Sequence, residues 1–169
     1  ASPIEALVTQ AHELGMDALA LTDHDAVYGV VQFAKAAASC GIRPILGAEL
    51  TLTTGHHLTM LAENATGWGN LCALISRARH NAPKGRAALD PAELPAHTAG
   101  LIVLSGCREG EIPSALLHGD AAAAERAARR YLEWYGVEHF WIELQNHLRP
   151  DDGILTDRLV ALARRLGIG

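Results

Sequence analysis

The chain has 169 residues, 49% of them hydrophobic and 20% charged, with a formal net charge of −5. That is the composition of one globular domain with a real core, and it excludes an extended disordered chain. An acidic balance also excludes a free-standing basic nucleic-acid module, so any grip on a polyanion has to come from a local patch, from cations or from neighbouring domains.

Ser2-Pro3-Ile4-Glu5 predicts a helix start, with Ser2 as cap, Pro3 at the first helical position and Glu5 closing a capping box. Ile4, Leu7, Val8, Ala11 and Leu14 continue it as one apolar stripe, and Gly15 ends it. Ala18 to Leu21 then reads as a short buried strand that gives way at once to Thr22, Asp23, His24 and Asp25. Ligand-capable residues directly after a buried strand are what a site at the C-terminal edge of a parallel sheet requires. A helix is expected from about Val27 to Ser39, stopped by Gly41, and a second strand leads into Gly47-Ala48-Glu49. Two successive strands thus bring His24 and Glu49 to the same end of one sheet.

Between Arg43 and Glu63 the pattern is two strands joined by a tight turn at Thr53-Thr54-Gly55. Along the second, His57, Thr59 and Leu61 face one way and His56, Leu58 and Met60 the other. Spacing alone leaves His57 open between ligand and surface residue, while His56 reads as an exposed edge residue. The next helix carries Trp68, Leu71, Cys72 and Ile75 as a core stripe and runs out into Arg77, Arg79, His80, Lys84 and Arg86. Arg77, Arg79, Lys84 and Arg86 are candidates to contact phosphate, against the blander reading of a solvated loop.

A strand over Ala99 to Cys107 ends in Ser105-Gly106-Cys107, where the thiol is either buried filler or a ligand. Cys40 and Cys72 read as structural. Three cysteines without CxxC spacing point to a reducing compartment rather than a disulfide framework. Helices follow over Ile112 to His118 and Asp120 to Tyr135, then a strand from Phe140 to Leu144 with Glu143 and His147 near its exit. Asp151-Asp152 open a last helix on the stripe Leu155, Leu159, Leu162 and Leu166, and Gly167-Ile168-Gly169 begins another strand. No apolar run approaches a membrane span and the first residues do not read as a signal, so the expected location is the cytoplasm, with no membrane contact.

His24, Glu49, His57 and Cys107 all sit at or beside expected strand ends. Imidazole, carboxylate and thiolate together suit zinc, and the first two also suit manganese or iron. Glu49, with two oxygens, is the natural bridge between two ions, and Asp23 reads as the group orienting a ligand histidine. Two ions held side by side suit phosphodiester hydrolysis. No Ser-His-Asp or P-loop spacing supports a serine hydrolase or a kinase.

In order, TDHD, YG, GIRPILGAE, HHLTMLAENATGWGNLCALIS, LSGCREGEIPSALLHGD and FWIELQNHLRPDDGILTDRLVALARRLGIG resemble the polymerase-and-histidinol-phosphatase (PHP) domain. The version they resemble stands at the amino end of bacterial DNA polymerase III alpha chains. The resemblance implies an α/β fold, a distorted (β/α)7 barrel, with residues 1–169 as one PHP domain lacking the family's first (HxH) and last (Asp-x-His) metal motifs. It implies His24, Glu49, His57 and Cys107 as metal ligands, with Glu49 and His24 catalytic, and up to three zinc, manganese or iron ions in a complete site. It also implies a parent DNA-directed DNA polymerase of DNA replication or repair, with metal-dependent phosphodiesterase (3′–5′ exonuclease) potential and with DNA and other polymerase subunits as partners. The short link from Glu49 to His57 and the SGCREG wording resemble the error-prone type. Two alternatives stay open: a non-catalytic structural and subunit-binding scaffold, and a stand-alone phosphoesterase acting on a small phosphoester. CREGEIPSALLHGD speaks against the second. A chain supplying only the middle ligands is expected to bind metal weakly and to show little nuclease activity by itself.

Overall fold

The computed structural model describes residues 3–169; the cap expected of Ser2 lies outside them. Helix α1 (Ile4–Glu13) precedes strand β1 (Ala18–His24), helix α2 (Val30–Ser39) and strand β2 (Arg43–Thr51). A turn then reverses the chain into β3 (His57–Ala62), followed by α3 (Ala65–His80), a 3-10 segment (Pro91–His97) and β4 (Leu101–Leu104). Helices α4 (Glu111–Leu117) and α5 (Ala121–Tyr135) lead to the two-residue β5 (Phe140–Trp141) and the final α6 (Asp152–Leu166).

The strands form one mixed sheet in the order β1-β2-β3-β4-β5. β1 runs parallel to β2 and β4 parallel to β5, while β3 is antiparallel to both its neighbours. Among the described residues the sheet has five strands and does not close on itself. The strand expected over Phe140 to Leu144 makes regular pairs only at its first two residues. Beyond them the Ile142 N–H donates to the Gly169 carbonyl at 2.9 Å, so the last residues do run beside it.

Period-two alternation gives the sheet two unlike faces. The register aligns His24 with Glu49, Glu49 with Thr59 and Thr51 with His57. These residues share one face. On the other, Ala48, Leu50, Leu58, Met60, Leu101 and Val103 are fully buried against α3 and α5 as part of the main core, which also takes in Leu71, Leu74, Tyr131 and Phe140. A smaller cluster of Val8, Ala11, Phe33, Ala37 and Ile42 holds α1 and α2 to β1.

Helix α3 starts earlier than its glycines suggest. Asn64 caps it by accepting the Gly67 N–H at 3.1 Å, which places Gly67, Trp68 and Gly69 inside the helix. Gly67 has a packing reason, since a Cβ there would collide with the Gly100 carbonyl. The helix also continues through Arg77 and Arg79 to His80, which decides where those arginines point.

Candidate metal centre

His24 is the last residue of β1, Glu49 lies near the C-terminal end of β2, and Cys107 stands three residues beyond β4. His57 begins β3, and because that strand is antiparallel its first residue reaches the same rim. Gly106 (φ +83) lets the SGC loop pass against β3, where a Cβ would meet the His57 carbonyl at 2.9 Å. The loop is fastened by the His57 N–H donating to the Glu109 carbonyl at 3.1 Å and the Gly110 N–H donating to the Cys107 carbonyl at 2.8 Å.

The side chains converge. His24 Nδ1 lies 3.0 Å and His57 Nδ1 3.3 Å from the same oxygen, Glu49 Oε1. Cys107 Sγ is 3.5 Å from His57 Nδ1. The two imidazoles meet edge to face with centroids 4.8 Å apart. One ligand atom from each of His24, Glu49 and His57 fits within 4.8 Å of the others. Cys107 sits beyond that group, on the His57 side. Donors about 2.0–2.2 Å from one tetrahedral ion stand roughly 3.4 Å from one another, so these separations fit a metal.

The outer nitrogens have partners of their own. Thr51 Oγ1 donates its one proton to Asp25 Oδ2 at 2.8 Å, so towards His24 Nε2, 3.0 Å away, it acts as acceptor. His24 Nε2 therefore carries the proton, and Asp25 Oδ2 at 3.4 Å supports it. On His57 the two ring nitrogens are placed alike, Nδ1 3.3 Å from Glu49 Oε1 and Nε2 3.3 Å from Glu109 Oε2. Both Nδ1 atoms face the same carboxylate oxygen, Glu49 Oε1. A carboxylate oxygen and two imidazole nitrogens this close together need a proton or a cation among them, and this donor set fits a divalent metal ion.

Cys107 tells the same story. Burial pushes its thiol above the ordinary value; the charges of Glu49 and Glu109 add to that, against the Glu109 backbone. The protein's own groups thus favour the neutral thiol, and a thiolate ligand here calls for a cation. All three cysteines are free.

Asp23 does not orient a histidine. Period-two alternation puts it on the opposite face of β1 from His24, where its Oδ2 accepts the Gly29 N–H at 2.8 Å. Asp25, Thr51 and Glu109 stand against the two imidazoles instead. Asp25 carries a visible signal, an aspartate directly after the strand in the left-handed region (φ 51), which lets its carboxylate turn back onto Thr51. Glu109 had none, because nothing in SGCREG separates its side chain from Arg108. His56 is half-buried, its Nδ1 3.2 Å from the Glu109 carbonyl. Glu143 lines a small recess with Cys107, and its Oε2 is buried without a partner among the described residues. His147 turns outward to Gln145.

The basic candidates divide. Arg79 and Arg86 line a cleft of about 580 Å³ with His24, Asp25 and Thr51. Arg77, two positions from Arg79 on a continuous helix, points elsewhere and pairs with Glu93. Lys84 is exposed and does not line the cleft.

A family model for the PHP domain matches residues 1–147, and the chain belongs to the PHP domain family. Its relatives include an error-prone DNA polymerase of Symbiobacterium thermophilum, 43% identical over 99% of this chain, and a DNA polymerase III subunit alpha of Treponema pallidum, 38% identical over 99%. An error-prone DNA polymerase of Mycobacterium tuberculosis is 38% identical over the whole chain. The chain spans only 17%, 16% and 16% of these three proteins. In structure it resembles a protein of Bifidobacterium adolescentis described as a metal-dependent phosphoesterase (TM-score 0.63, 14% identity, 99% of this chain and 80% of that one). It also resembles an amidohydrolase of Chromobacterium violaceum (TM-score 0.56, 17% identity, the same coverage). At those identities the likeness concerns the fold. Among the described residues no helix is long and apolar enough to cross a membrane.

Proposed function

We propose that residues 1–169 serve as the metal-dependent phosphodiesterase domain of a DNA polymerase III alpha-like protein of the error-prone type, removing nucleotides from a 3′ end. One observation carries this reading: two imidazole nitrogens, Nδ1 of His24 and of His57, face a single oxygen of Glu49 at a sheet rim. That cluster opens onto a cleft bearing two arginines. The relatives' names support the polymerase setting, and with it DNA and other polymerase subunits as partners and the cytoplasm as location.

Zinc, manganese or iron would be held by His24 and His57 through Nδ1, by Glu49 and, on the His57 side, by Cys107, with room in the family pattern for up to three ions. Bound there, the metal would supply Lewis acidity and an activated nucleophile at neutral pH. Glu49 Oε1 faces Nδ1 of both imidazoles. Thr51 and Asp25 favour the proton of His24 on Nε2 and so leave its Nδ1 to the metal, while Glu109 meets Nε2 of His57. His24, half exposed, presents the centre to the cleft, and Arg79 and Arg86 place positive charge where a phosphodiester would lie.

The test is digestion of a 3′-labelled primer by the full-length protein in manganese or zinc, alongside Glu49→Ala. Loss of cleavage by about 100-fold or more, with polymerisation retained, is the expected result, since removal of a ligand costs at least what removal of a supporting residue does. Cleavage that survives Glu49→Ala would refute the assignment.

A further inference from the structure

Beside the cleft stands a feature that the hydrolytic reading does not use. Tyr28, four residues beyond His24, is a large aromatic residue left 81% exposed. The Arg79 guanidinium lies over its ring, 5.3 Å from the centroid. Arg79 is itself anchored, donating from Nε and Nη2 to the Asp25 carbonyl at 2.9 and 2.8 Å. Those two bonds use two of its five N–H donors and leave three free at the cleft wall.

We infer that Tyr28 and Arg79 form a stacking ledge for an unpaired nucleobase, the ring taking the base and the guanidinium its phosphate. An aromatic ring supported by an arginine beside a cationic cleft is how single strands are held without reading sequence, because every base offers a π-face. The anchoring matters energetically. An arginine already fixed by a backbone carbonyl loses little conformational freedom when a phosphate arrives. Arg79 lines the same cleft as His24, so a base stacked on Tyr28 directs its adjoining phosphate towards the centre. The substrate class is therefore a single-stranded nucleic-acid end rather than a small phosphoester, which has no base to stack.

This deepens the phosphodiesterase reading and rests on it, so the test reads binding apart from cleavage. The full-length protein is titrated, in calcium, with an oligonucleotide carrying 2-aminopurine as its 3′-terminal base. Stacking quenches the probe. Tyr28→Ala should weaken the quenched complex roughly 5- to 150-fold, the range for losing one stacked base, and Tyr28→Phe should restore it. Arg79→Gln should lower the slope of log affinity against log salt by about 0.7, one phosphate on a single strand. Quenching and affinity unchanged in Tyr28→Ala would overturn the ledge, whether or not the protein cleaves. Tyr28-dependent quenching in a protein that never cleaves would support the ledge and sink the phosphodiesterase reading alone.

Discussion

The two faces of the sheet are built from the same strands to opposite rules. On β2, Ala48 and Leu50 point into a sealed apolar core, while Glu49 and Thr51, their immediate neighbours, point to a rim crowded with acceptors. One face gains stability by excluding water. The other gathers two imidazoles against one carboxylate oxygen, polar groups placed for a cation rather than for packing. Stability and chemistry are thus separable residue by residue along one strand, and substitutions should sort by face.

The largest separation is expected at Leu50. Leu50→Ala leaves a cavity among fully buried neighbours and should cost about 2–5 kcal/mol in denaturant unfolding. Metal affinity measured under native conditions should not change. A parallel fall in affinity would mean that the two faces are coupled. Next is Glu109, on the rim, whose carboxylate meets His57 from outside the centre. Glu109→Ala should weaken metal binding about 10- to 100-fold. Its stability without metal should stay within about 0.5 kcal/mol of the parent's. Glu109→Gln keeps an acceptor oxygen and should recover part of the affinity; failure to do so would assign the effect to charge rather than to tautomer.

The smallest effect concerns the loop that closes the rim. Asp152 accepts the His147 N–H at 2.7 Å and the Arg149 N–H at 3.0 Å, and takes Arg108 Nη1 at 2.9 Å. The Arg149 and His147 amides and the Arg108 charge hold its carboxyl below the ordinary 3.8. A depressed carboxyl contributes fully above its unfolded pKa, and that contribution is lost as pH falls through the folded value. Stability should therefore fall off below about pH 3.8, and Asp152→Asn should flatten this acid limb by lowering the neutral plateau, where the carboxylate's contribution is fully present. An acid limb identical in the variant would place the sensitivity elsewhere.

Much of this was readable in the chain because strands and helices announce themselves by period. The alternation of His57, Thr59 and Leu61 against Leu58 and Met60 gave the sheet its faces before any coordinates. Asp23 was misassigned for the same reason in reverse: TDH belongs to β1, not to the loop after it, so neighbours in sequence fall on opposite faces. The arginines read alike in sequence because no local pattern shows how far α3 continues past Arg77. A helix extended to His80 turns Arg79 roughly 200° away from Arg77, enough to send one to the cleft and the other to Glu93. Thr51 and Glu109 stayed hidden because they act through hydrogen bonds between distant segments, which no local pattern encodes.

The antiparallel course of β3 also has a kinetic side. Glu49 and His57 are eight residues apart, joined by a hairpin, whereas His57 and Cys107 are separated by 50. Loop-closure entropy grows as the logarithm of that span, so bringing Cys107 to His57 costs about 1.6 kcal/mol more than bringing Glu49 there. His24, 25 residues before Glu49, falls between. By closure cost alone the centre therefore has a ranking: the carboxylate–imidazole pair of the local hairpin costs least to bring together, the second imidazole across the parallel crossover comes next, and the thiol on the longest loop costs most.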